Sequence, residues 1–86
     1  MKEDKYYYYL QDLGKGLRGY ALEAAGALER SPAQQRLFYE GVLAAYYRVI
    51  TLMQQQAGGM DIDLATIGLD DIDPDRDLSG GKTPDS

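Results

Sequence analysis

Ser31-Pro32-Ala33-Gln34, near the middle of the 86-residue chain, separates two apolar-periodic segments of nearly equal length. Proline lacks a backbone donor and holds φ near about −65°, so it suits the first position of a helix and breaks the interior of one. Ser31 is placed to cap that start by accepting from a free amide of the first turn. Gln34 is placed to reach back and complete a capping box. The stretch predicts a long antiparallel two-helix hairpin, all-α, with helices over residues 3–29 and 32–57.

The flanking segments carry the periodicity such a hairpin needs. Before the turn, Tyr6, Leu10, Leu13, Leu17, Tyr20, Ala24 and Ala27 recur in steps of three and four. A second row runs beside it through Tyr7, Leu10, Gly14, Leu17, Ala21, Ala24 and Leu28. Gly14, Gly16, Gly19 and Gly26 weaken this helix by about 1 kcal/mol each relative to alanine, so packing must offset them or the helix breaks near residues 14–19. After the turn, Phe38, Val42, Ala45, Val49 and Leu52 form one row, and Tyr39, Leu43, Tyr46, Ile50 and Met53 form the next. A short-loop hairpin would then set Tyr20 against Gly41 and Tyr46 against Gly16, large against small.

Two rows on the second helix are wider than one neighbouring helix covers. The expectation is a homodimer that completes a four-helix bundle, with Tyr39, Leu43, Tyr46, Tyr47, Ile50 and Met53 at the oligomer or partner interface. A chain of this size has a small core, and it contains no cysteine to staple it. With no histidine either, it offers poor ligands for zinc and none of the usual nucleophile-and-base pairs. A non-enzymatic protein without cofactor or metal is the expectation.

Charge divides the chain. Residues 1–60 carry seven bases and six acids, net +1, whereas residues 61–86 carry eight aspartates against Arg76 and Lys82, net −6. All tyrosines lie in the first part, and Gly58-Gly59 is the expected hinge between the two. Residues 59–73 set isolated aliphatics among aspartates, with Asp63 placed to cap a turn that Gly68 ends. Leu64, Ile67, Leu69 and Ile72 are the expected tail-docking residues, lying along a groove of this chain, of a sister chain or of a separate protein. From residue 74 onward, composition predicts a disordered acidic tail.

Three further features carry less. Tyr6-Tyr7-Tyr8-Tyr9 circle most of a helix, so they cannot all pack on one neighbour, and the remainder offer an aromatic contact surface. Lys2, Lys5, Lys15 and Arg18 near them make no clear phosphate track, being offset by Glu3, Asp4 and Asp12, so nucleic acid is not the expected partner. Asp71, Asp73, Asp75 and Asp77 alternate like the first half of a calcium loop, but arginine stands where such a loop needs glycine and lysine where it needs glutamate. No basic-then-apolar leader opens the chain, and the apolar stretch over residues 41–53 falls short of the roughly 20 residues a bilayer needs. The expectation is a cytoplasmic, bacterial-type interaction or regulatory protein that binds itself and an unknown protein partner without entering a membrane. A nucleic-acid regulator or an ion- or ligand-binding module is the alternative.

Overall fold

The computed structural model describes residues 2–79, and every element among them is helical. Helix α1 spans Lys2–Arg30 and helix α2 spans Ala33–Gly59. They pack against each other as a hairpin within an envelope of 50 × 24 × 16 Å. A 3₁₀ turn over Leu64–Ile67 and a one-turn helix, α3, over Pro74–Asp77 follow. Helix α1 runs unbroken through its glycines.

The turn is where expected, but its chemistry differs. Pro32 is itself the N-cap of α2, extended at φ −68° and ψ 161°, and no side chain caps the helix. Ser31 closes α1 instead: its hydroxyl donates to the Ala27 carbonyl at 2.6 Å and its amide to that of Leu28 at 3.2 Å. The residue before a proline is disfavoured in the helical region, so Ser31 lies one residue too far from α2 to reach its first amides. Arg36 adds a donor to the Leu28 carbonyl from across the turn, at 3.3 Å.

Gly14, Ala21 and Leu28 are buried at seven-residue intervals on α1, as are Leu43, Ile50 and Ala57 on α2. Ala21, Leu28, Leu43, Ile50 and Ala57 belong to one core that the two helices share with the tail. The pairing of Tyr20 with Gly41 and of Tyr46 with Gly16 is not found. The space beside Gly16, Gly19 and Gly41 is empty, and Tyr20 is 61% exposed. The glycine that packing requires is Gly14, and its neighbour is the tail: a methyl there would overlap the Ile67 carbonyl.

The tail is a strap across the hairpin. Gly58 and Gly59 remain in α2, and the chain reverses one step later at Asp61, which takes a positive φ of 57°. The Asp61 amide donates to the Gly58 carbonyl at 3.3 Å and the Ile62 amide to that of Ala57 at 2.8 Å. These two bonds are the Schellman closure of a helix, which favours a residue free to adopt a left-handed conformation. Gly68 ends the 3₁₀ turn at φ 73°, as expected, and its α-carbon lies so close to the Gln11 carbonyl and the Lys15 amide that no side chain fits. Asp63 precedes that turn without capping it through its side chain.

Disorder from residue 74 is overturned for residues 74–79. Asp73 accepts from the amides of Asp75 and Arg76 at 3.0 and 3.4 Å, and its own amide donates to Asp77 at 2.9 Å. The alternating aspartates are therefore a helix cap with Pro74 at the first position, and Leu78 anchors the turn at 3% exposure. Residues 80–86, the remainder of the expected tail, lie outside the described residues.

Candidate interaction surface

The strap covers one side of the hairpin and leaves the other open. Ile67, Leu69, Ile72 and Leu78 join Ala21, Leu28, Leu43 and Ile50 in one core, and Leu69 is fully buried. Burial of an aliphatic side chain of this size stabilises by about 1.5–3 kcal/mol. Leu64 packs at the margin of this core. Of the groove owners considered for these residues, this chain's own hairpin is the one observed.

Polar side chains of both helices hold the strap backbone. Gln54 of α2 donates to the carbonyls of Leu69 and Ile72 at 3.1 and 2.9 Å, and Gln11 of α1 donates to that of Ala65 at 3.2 Å. Arg18 pairs with Asp71 at 2.7 Å, which removes one of the four cations near the tyrosines from any phosphate track. Tyr47 donates its hydroxyl to Asp75, and this hydrogen bond to a carboxylate raises the phenol above its ordinary pKa. The Arg76 guanidinium against Asp77, assisted by the Asp73 amide, holds that carboxyl down at about 2.

The interface residues expected from sequence divide accordingly. Leu43 and Ile50 are core residues of the hairpin and cannot meet another chain. Tyr47 is engaged with the strap, while Tyr39, Tyr46 and Met53 pack half-buried along the seam's edge. This row of α2 faces inward, because α1 and the strap consume one apolar row between them. The neighbouring row remains uncovered: Phe38 is 67% exposed, Leu52 55% and Val49 43%. On α1, Tyr6, Leu10, Leu13 and Tyr20 are exposed as well.

Both helices contribute to the same open side. Tyr20, Ala24 and Ala27 of α1 and Phe38, Val42 and Tyr46 of α2 line a groove of about 390 Å³, with Glu23 and Arg30 at its edge. At the other end of α2, a pocket of about 260 Å³ is lined by Leu52, Met53, Gln56, Ala57, Met60, Ile62 and Ile67. Val42, Met53 and Met60 lie nearly on one line along the helix, so groove and pocket share a face. Sequence reasoning recognised the double row, but two residues of the row it gave to the interface, Leu43 and Ile50, are internal; the missing signal was that the strap helps to bury them.

The tyrosine run is exposed throughout. Tyr7 is its most covered member, with its hydroxyl accepting from Gln11 at 3.2 Å and its ring edge-on to Tyr8 at 5.2 Å. No cluster of three or more metal-ligating side chains occurs among the described residues, and no helix there is long and apolar enough to cross a membrane. No protein-family model, curated protein or solved structure matches this chain.

Proposed function

We propose that this chain is a small, non-catalytic helical interaction protein that works by self-association through the side of the hairpin opposite the strap. The observation that carries the reading is the exposed row of Phe38, Val49 and Leu52 beside the exposed Leu13 and Tyr20. Soluble monomers rarely leave contiguous apolar patches of this kind, and those that occur mark contact surfaces. The bundle that two hairpins would form gives each long helix two neighbours, which matches two rows on α2.

Sedimentation equilibrium over a wide concentration range tests this. The expected result is a dimer that dissociates on dilution, and Leu52→Glu should convert it to a monomer with unchanged helical circular dichroism, because Leu52 supports no contact of the core. A wild-type chain that stays monomeric at every concentration overturns the proposal.

A further inference from the structure

We infer that the pocket at the C-terminal end of α2 is a binding site for a small amphiphilic cation, an alkylammonium whose apolar body fills the pocket and whose charged head lies against Asp61 and Asp63. The site lies within one chain, so it stands independently of the self-association proposed above.

The walls set the body of the ligand. Leu52, Met53 and Ala57 of α2, Met60 at its C-cap, and Ile62 and Ile67 of the strap enclose about 260 Å³. Gln56 is the one polar side chain among the lining residues, and none of them is charged. Met60 is 68% exposed and Leu52 55%, so these apolar walls face water. Pockets for drug-sized ligands run from about 300 to 1,000 Å³, so this one takes a shorter aliphatic body. Two methionines suit it, because a thioether side chain is flexible and fills irregular space.

The surroundings set the sign of the head. Asp61 and Asp63 flank the lining residue Ile62 in the chain, and both are exposed. Helix α2 is 27 residues long, and its C-terminal end is the negative pole of the helix dipole, with no basic residue in the last turn to offset it. Between Arg48 and Arg76 the chain has six aspartates and no lysine or arginine. Arg18, which α1 brings to the strap, is held by Asp71 at 2.7 Å. A cationic head is therefore attracted here and a carboxylate repelled. The groove at the turn end of the hairpin differs: Glu23 and Arg30 both line it, so it selects neither sign.

Methyl-labelled methionine reads the site directly, since Met53 and Met60 both line the pocket. Hexylammonium, hexan-1-ol and hexanoate share one apolar body and differ in charge. Each is titrated at a protein concentration where sedimentation shows a single species. Hexylammonium should give saturable shifts of both methyl resonances and bind about tenfold more tightly than hexanoate, with hexan-1-ol between them. Added salt should narrow that spread, and heptylammonium should gain up to about fourfold over hexylammonium. The double substitution Asp61→Asn and Asp63→Asn keeps at residue 61 a side chain that tolerates the left-handed conformation. It should bring hexylammonium close to the affinity of hexan-1-ol, while the alcohol binds as before. Hexanoate binding as tightly as hexylammonium overturns the cationic ligand, and an undiminished ammonium preference in the double variant overturns the placement of its head. Methyl resonances that none of the three ligands moves overturn the pocket as a site.

Discussion

The two sides of the hairpin are built from similar apolar rows, yet one is closed by the chain's own strap and the other is open. The difference lies in polar groups. The closed side has Gln11, Arg18, Tyr47 and Gln54 aimed at strap carbonyls and carboxylates. The open side is mostly aliphatic and aromatic, and its donors, Tyr20, Arg30, Tyr46 and Gln56, make no hydrogen bond to the strap among the described residues. Hydrophobic burial is non-directional, so it would draw a loose segment to either side; donors for otherwise unsatisfied carbonyls fix which side an irregular chain can occupy.

Leu69→Ala should break the closed side most severely. Truncating this fully buried side chain costs about 2–5 kcal/mol, and the loss should be independent of protein concentration. Leu52→Ala on the open side should cost little in dilute solution, where the chain is monomeric. Chemical denaturation of both variants, each at low concentration, checks the contrast; equal losses would mean that the two sides are not different in kind.

Gly14→Ala sharpens the same comparison at the strap's closest approach. The added methyl must displace the Ile67 carbonyl, and overpacking of this sort costs about 1–3 kcal/mol. The loss should be local, read as faster amide exchange at Gly68 and Leu69 than in the middle of α2. Gly16→Ala, facing empty space in the monomer, should instead raise helical stability.

A smaller gain is expected at the reversal into the strap. Asp61 holds a left-handed conformation at φ 57°, so Asp61→Gly should stabilise the fold by up to about 1 kcal/mol. Thermal unfolding of the variant reads this.

The smallest effects are pH-dependent and confined to the strap. Asp77 has a folded pKa depressed to about 2, so its contribution is present above the ordinary carboxylate range and is lost as pH falls through about 2. The Tyr47 phenol is raised, so its bond to Asp75 contributes below its ordinary pKa and is lost as pH rises through the folded value. Methyl resonances of Leu78 should move toward unfolded positions at both extremes, and Tyr47→Phe should abolish the alkaline change alone.

Sequence periodicity reached the hairpin, the helix bounds to within about two residues, and the docking of Ile67, Leu69 and Ile72, because these depend on local spacing and on where proline and glycine fall. The disordered reading of residues 74–79 failed because a run of aspartates looks like a solvated tail until one of them is seen to cap a turn that Leu78 pins. The role of Ser31 failed because helix entry and helix exit compete for the same hydroxyl, and the proline beside it decided the matter.

The sequence by itself determined that α2 carries two apolar rows, wider together than one neighbouring helix covers. Only the tertiary structure decided which row is internal. That choice depends on Gly14 admitting the strap backbone and on Gln11 and Gln54 reaching carbonyls more than a dozen residues away in the chain, contacts between segments that no local period encodes.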